Sequence, residues 1–391
     1  MSWGTYGVMD AAAASGASSI PVLDQALLEW PDLAPFLAAA GKRPMTDLSF
    51  LIASLRHKPR TTTLAAAIAD GVATSALVAD GTGMVVGEVI EFVSGERAEV
   101  TAISITNATT GAATLTVRRG AQGTTGAAQA DASLVRVIGN SASGAEENRT
   151  AASGQARTYT QHVQEFQTPI STASNLQNAS NYGMSFGAAT PFDAAVQNGI
   201  RSTMQDVDTT LVYGIAEAIG GANALNRAKM AGVRALSVAV ASGGGKVTSP
   251  TNAASYSPPD FLRDFVQTPR ENAGVVVDTI VLGMNWVQAF AIWGVAIERL
   301  NPDSTALGVN LSVFRSSLGD QDLIFTPNVR NFHGFSFRYS ELVVGVKTPM
   351  MVERLAKNGR VERAQIVMEA SLAVQDAYRL GWVEGVTAFD V

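Results

Sequence analysis

Gly183-Met184-Ser185-Phe186-Gly187 carries the G-x-S-x-G spacing that can lift a serine hydroxyl onto a sharp strand-to-helix turn, and acids and His333 follow it in the chain. A serine hydrolase using Ser185 and His333 is therefore the first chemistry to weigh. Such an elbow needs a strand, a tight turn and a helix in immediate succession beside a parallel sheet. Here the next helix signal is Thr190, several residues later, and the preceding strand belongs to no βαβ series. The stretch reads better as a connector entering a helix. Gly243-Gly244-Gly245-Lys246 imitates a phosphate loop, but Val240 stands where the first glycine belongs and Val247 replaces the magnesium-binding serine or threonine. It is a glycine-rich loop tip.

Metal chemistry finds no better footing. His57, His162 and His333 are too far apart for a local ligand pair, no carboxylate pair has helical metal spacing, and the chain has no cysteine. No catalytic group, cofactor, metal or disulfide is expected. Trp286, Phe290, Trp293 and Ile297 recur at helical spacing, which marks a core-facing stripe before it marks a ligand pocket. Asn107-Ala108-Thr109 has the form of a glycosylation sequon, which matters only in a secreted chain. Residues 1–14 lack a cationic leader region and are interrupted by Asp10, so no signal peptide is expected.

Composition points to a different kind of work. Charged residues make up 16% of the 391 residues, against a usual share of about 25%. Gly and Ala are abundant, and such a surface is easier to keep in water if neighbouring chains cover much of it. The net charge of −6 and the scattering of the basic residues exclude a stripe that would track phosphates, so specific DNA binding is not expected. The apolar run from Trp286 to Ile297 is shorter than the roughly 20 residues a bilayer needs. No membrane span is expected.

The elements follow from periodicity and breakers. Residues 1–58 read as short helices separated by Pro21, Pro31, Pro35 and Pro44, with Leu23, Leu27 and Leu28 on one face and Leu48, Leu51, Ile52 and Leu55 on another. From Thr61 to Asn140 the composition shifts to Val, Thr, Ala and Gly. Alternating runs at 85–93, 98–105, 113–118 and 134–138 predict strands, and Asp80-Gly81, Ser94-Gly95 and Thr110-Gly111 predict the turns of a small antiparallel barrel. Residues 141–156 are small and polar, as in a loop, and 159–172 are strand-like.

Thr190-Pro191-Phe192-Asp193 is a helix start, with a capping hydroxyl, proline at the first helical position and an acid in the first turn. Apolar residues then recur from Phe192 through Ile219 until Gly220-Gly221, predicting a rod of about 30 residues and about 45 Å. Beyond it, helices are expected near 257–258 and over 285–300. Strands are expected at 275–282, 309–314, 323–326, 341–346 and from 367 onward, giving an α+β body.

Several stretches, in this order, resemble the major capsid proteins of tailed bacteriophages with the HK97-like fold, in the subgroup with a β-domain inserted in the extended loop. They are Val85–Ile90, Leu115–Gly120, Gly123–Thr125 and Val137–Asn140 for the inserted domain, Arg157–Gln161 through Pro169–Ser171 for the returning strand, and Glu353–Gly359, Glu362-Arg363 and Met368–Leu372 for the closing strands. The pattern departs at Asn358-Gly359-Arg360, where a Gly-Asp pair is expected, and in a less acidic stretch around Phe314 to Gly319.

The resemblance, covering roughly residues 45–390, implies an N-terminal arm (1–58), an inserted small antiparallel β-barrel within the extended loop (59–140) and a returning loop strand (141–185). It then implies a peripheral domain with a long spine helix (186–235), an axial domain with adjoining peripheral segments (236–340) and peripheral closing strands (341–391). It implies a homo-oligomer of hexamers and pentamers, an icosahedral head enclosing double-stranded DNA without specific binding, a portal, a separate scaffolding protein, and room for a decoration protein. The virion is the expected location, with assembly in the host cytoplasm. On the returning strand, Arg149, Arg157, Tyr159, Gln161 and Glu165 are the candidate contacts with a neighbouring copy.

No lysine lies between Pro59 and Ala228, so a shell welded by loop lysines is not expected. The rivals are an encapsulin-like cage subunit, the Ser185 hydrolase, and a secreted adhesin or surface-layer protein. A long helix with one apolar face, a breaker-rich arm and an extended loop are all expected to need cover from neighbouring copies.

Overall fold

The computed structural model describes residues 23–55, 58, 60–107, 111–140, 156–173, 190–219, 227–241, 247–248, 255–274, 276–293, 298–299, 312–316, 319–330, 332–375 and 377–389. Leu23, Ala26 and Leu27, spaced three and four residues apart, form the buried stripe of helix α1 (Leu23–Glu29). Pro31 opens a single 3-10 turn and Pro35 opens α2 (Pro35–Ala39), where the missing N–H of proline costs no helical bond. Strand β1 (Gly41–Pro44) follows.

The next segment departs from expectation. Leu48, Leu51, Ile52 and Leu55 do not share a helical face; 49–55 is strand β2 (Ser49–Leu55), with Ile52 buried and Leu51 exposed. Its hydrogen-bonding partner lies more than a hundred residues away, at β9, and a partner so distant leaves no local mark.

Six short strands come next: β3 (Thr61–Thr63), β4 (Ser75–Val78), β5 (Glu88–Phe92), β6 (Arg97–Ile105), β7 (Ala113–Arg118) and β8 (Leu134–Asn140). They pair antiparallel in the order β3-β8-β5-β6-β7-β4. Leu64 bridges Val78, and Ala65 N–H and Ala79 N–H bond to Leu77 O and Thr63 O, so the first and last strands meet and the sheet nearly closes into a barrel. Closure removes the free edges that would pair with other chains. Inside is a core of its own, from Leu64, Val78, Ile90, Phe92, Val100, Leu115, Val117 and Val135.

Strand β9 (Ala156–His162) pairs with β2 as a two-stranded ribbon, and β10 (Gln164–Ala173) continues into the body. Helix α3 (Pro191–Tyr213) starts as predicted: Thr190 Oγ1 accepts the Asp193 N–H at 3.2 Å, with Pro191 at the first position. It is shorter than expected, 23 residues and so about 35 Å. The chain breaks off at Gly214, whose N–H caps on Thr210 O and whose carbonyl accepts from Gly232 N–H, while Glu217 pairs with Lys229. Ile215 and Ile219, expected on the buried face, are 71% and 64% exposed.

Then come α4 (Val233–Ala241), β11 (Val247–Thr248), and α5, a continuous helix in three pieces (Pro258–Leu262, a π turn Arg263–Gln267, and Thr268–Ala273). Ser257 and Asp260 cap α5 reciprocally, at the helix start expected near 257–258. After it lie β12 (Thr279–Gly283), α6 (Trp286–Trp293) and β13 (Glu298–Arg299). The helix expected over 285–300 therefore gives way to strand before its predicted end, because 298–299 pair with β14. The chain closes with β14 (Ser312–Ser316), β15 (Gly319–Thr326), β16 (Gly334–Phe337), β17 (Leu342–Asn358), β18 (Val361–Val374) and β19 (Gly381–Val383).

Two sheets form the body. One has four strands, β1-β17-β18-β10; the other has seven, β11-β19-β16-β12-β15-β14-β13, mixed parallel and antiparallel. Helix α3 lies on the four-stranded sheet, so close at Gly199 that a Cβ there would stand 2.8 Å from Ile366 Cδ1 and 2.9 Å from Ile170 Cδ1. Its apolar face, Val196, Ile200, Met204, Val207 and Leu211, is wholly buried within the same subunit. Residues Leu27, Phe36 and Leu37 of the N-terminal segment lie in that same core. The expectation that the rod needs a neighbour to cover it is thus corrected, and so is that for residues 23–40 of the arm, whose first 22 residues lie outside the described ones. The surface left uncovered lies elsewhere.

Candidate functional site

His333, the histidine of the hydrolase reading, is held between helix and sheet. His333 precedes β16, and its Nδ1 lies 3.3 Å from Tyr213 Oη at the end of α3. Its ring packs edge-on against Trp382 of β19, and its carbonyl accepts from Trp286 Nε1 and Gly283 N–H. Burial holds the imidazole below its usual range, Glu384 pulls the other way, and Arg330 and Arg234 add to the depression. His333 is thus a joint between helix and sheet. Ser185, Arg149, His57 and the 243–246 glycine loop lie outside the described residues.

Trp286, Phe290 and Trp293 pack with Tyr256, Phe261, Phe265, Phe314 and Phe389 in an aromatic core, which agrees with the core reading of that stripe; Ile297 lies outside the described residues. Among the described residues no cluster of three or more His, Asp or Glu could hold a metal ion.

Among the described residues the ribbon is one part that its own chain covers poorly. β2 and β9 pair over seven rungs, Ser49 with His162 through Leu55 with Ala156. A two-stranded ribbon alone is marginal in water. One face turns inward through Ile52, Tyr159 and Gln161, while Leu48 and Leu51 stand 64% and 66% exposed. Helical spacing hid these two leucines from sequence reasoning. The alternation of Phe50 and Ile52 against Leu51 was the signal available.

The candidates on the returning strand separate. Arg157 lies opposite Ser54 and Tyr159 opposite Ile52. Tyr159 packs against the main core, and Glu165 on β10 is exposed. Gln161 is fully buried: its Oε1 accepts Ala231 N–H at 2.8 Å, and its Nε2 donates to Ala231 O at 2.8 Å and Leu372 O at 3.0 Å. In this subunit its amide is spent on its own backbone.

At the far end of the ribbon the barrel is tied down. Lys58 bonds to Glu88 of β5, which is 1% exposed, and Arg60 O accepts from Val137 N–H. The lysine-free stretch begins one residue after Lys58, so the last residue of the arm carries an amine at the junction with the loop, and it is engaged by a carboxylate of the same chain.

A profile of the family described as SU10 major capsid protein matches residues 14–387. No curated protein matches. Among solved structures the chain is similar to the SrpI encapsulin of Synechococcus elongatus PCC 7942, with 13% identity, 61% of this chain and 79% of that one covered, and a TM-score of 0.40. It is similar to the virus-like particle of Pyrococcus furiosus (9%, 92% and 96%, 0.38) and to Mycobacterium phage Adephagia (12%, 91% and 89%, 0.39). These likenesses are too slight to carry the assignment, which rests on the profile match along nearly the whole chain. A spine helix on one sheet, a second mixed sheet and a ribbon bearing a barrel are the parts expected of an HK97-like subunit, and the chain belongs to the SU10 major capsid protein family, whose members form the icosahedral heads of tailed phages.

Proposed function

We propose that copies of this chain tile as hexamers and pentamers around double-stranded DNA, each laying its β2–β9 ribbon and barrel on a neighbour. The observation that supports this reading is the ribbon itself, a long two-stranded arm with Leu48 and Leu51 uncovered by the chain that carries them. The segment bounds 1–58, 59–140, 141–185, 186–235, 236–340 and 341–391 serve as the arm, inserted barrel, returning strand, peripheral, axial and closing parts. Arg149, Arg157, Tyr159 and Glu165 are the contact candidates that remain, with Gln161 positioning the strand from within. The work is structural and not catalytic. Assembly proceeds in the host cytoplasm with a portal, a separate scaffolding protein and room for a decoration protein. With a net charge of −6 the wall encloses the genome without gripping it.

A Leu48→Asp/Leu51→Asp variant tests the ribbon. Both side chains are exposed, so folding stability is expected to shift by no more than about 0.5 kcal/mol, while closed shells disappear from electron micrographs. Shells at unchanged yield would refute the reading. With Lys58 held by Glu88 the shell is expected to be non-covalent: particles boiled in detergent run as one band near 40.8 kDa, and a ladder of multimers would contradict this. DNA in purified particles separates a phage head from an encapsulin-like cage with protein cargo.

A further inference from the structure

Helix α2 begins without a cap of its own, since Ala34 stands at the cap position and offers no side-chain oxygen. The acceptor arrives from the spine helix. Asp208 of α3 is fully buried, and its Oδ1 accepts the Leu37 N–H at 2.7 Å across 171 residues of sequence; Phe36 N–H bonds to it as well. Its Oδ2 accepts from Asn328 Nδ2 at 2.7 Å, and that same nitrogen donates to Leu33 O at 2.8 Å. One carboxylate therefore joins the N-terminal segment, the spine helix and the turn after β15.

We propose that Asp208 is a proton-operated clasp, holding the 23–40 segment on the body more tightly when its carboxyl is neutral than when it is ionised. All the groups that bond to it are uncharged N–H donors. The charged side chains nearby are engaged or turned outward. On α3, Asp206 is exposed and Arg201 stacks over Trp30 at 4.4 Å; on the turn after β15, Arg330 lies over the Tyr213 ring at 5.4 Å; on the 3-10 turn, Asp32 is exposed. None of these is among the groups that set the proton affinity of Asp208. Burial pushes its carboxyl from 3.8 up to about 6, against the opposing pull of Asn328, Leu37 and Phe36. The neutral acid keeps a carbonyl oxygen for the α2 N–H groups and leaves no charge in the core.

The sign follows from linkage. A carboxyl whose value is raised by docking contributes stability that is complete below its free value near 3.8 and is lost as pH rises through about 6. Acid tightens the clasp. A self-assembling subunit thereby gains a segment whose hold on the body the medium can set.

The chain has no cysteine, so one introduced thiol reports opening cleanly. In the full chain, the labelling rate of Ala38→Cys, a position 7% exposed, is divided by that of Ala65→Cys, an exposed reference that cancels thiol ionisation. The ratio is expected to fall about tenfold between pH 7.5 and pH 5.0, with its onset near pH 6, and to stay level in an Asp208→Asn background. A level ratio in the chain that keeps Asp208, or the same fall in the Asp208→Asn background, would overturn the proposal. So would an onset below pH 4.5, which would assign the effect to ordinary carboxylates and can be read even if Asp208→Asn does not fold.

Discussion

Arg119→Ala is expected to destabilise the barrel by about 3–5 kcal/mol, because it strands a buried carboxylate. Arg119 is 5% exposed and its partner Glu96 is 1% exposed; the guanidinium meets the carboxylate through two bonds, Nε to Oε1 at 2.5 Å and Nη2 to Oε2 at 2.6 Å. The pair also organises the open end of the barrel. Arg119 Nη1 donates to Asp70 O and Ala73 O at 3.2 Å each, and Glu96 accepts from Ala127 N–H at 2.9 Å and from Gln129 Nε2 at 3.2 Å. The two loops so gathered touch backbone to backbone at Gly71 and Gly126, where neither position has room for a Cβ.

Burial alone would raise the Glu96 carboxyl, yet bonds from Arg119, Ala127 and Gly120 hold it below its usual range. Its contribution is therefore present above about pH 4.5 and is lost as pH falls through the lowered value, the opposite sense to Asp208. None of the five tryptophans falls within residues 61–140, so hydrogen exchange of 88–105 in the full chain is the measurement that reads the barrel. Unchanged protection in Arg119→Ala would refute the account. Glu96→Leu/Arg119→Met, which removes both charges together, is expected to recover much of the loss.

Gln161→Leu is expected to cost several kcal/mol, at about 1–3 kcal/mol for each buried backbone group it orphans. Those groups are Ala231 N–H, Ala231 O and Leu372 O, belonging to the segment before α4 and to β18. Ser371 Oγ, donating to His162 O at 2.8 Å, would still tie β18 to the end of β9 at this corner. Leucine matches the volume of glutamine closely enough that the loss is one of hydrogen bonding and not of packing. Denaturant unfolding followed by Trp382 in the adjoining core reads the change, and a shift below about 0.5 kcal/mol would show that the bridge holds little. Shell yield in this variant is expected to follow the loss of subunit stability, because the side chain faces inward.

Elements whose causes are local were legible in advance. Thr190, Pro191 and Asp193 start α3 with bonds confined to four residues, and the barrel strands announce themselves by alternation and by turn glycines such as Gly95 at φ +80°. The lack of cysteine and the thin charge were readable directly, and so was the resemblance that the profile match bears out. What escaped were outcomes set by distant partners. β2 is a strand because β9 pairs with it, α3 stops at Gly214 because Gly232 and Lys229 draw the chain aside, and α2 is capped by a carboxylate 171 residues away. A backbone hydrogen bond or a buried acid counts the same free energy whether its partner is near or far in sequence, but only a near partner leaves a pattern that can be read without the fold.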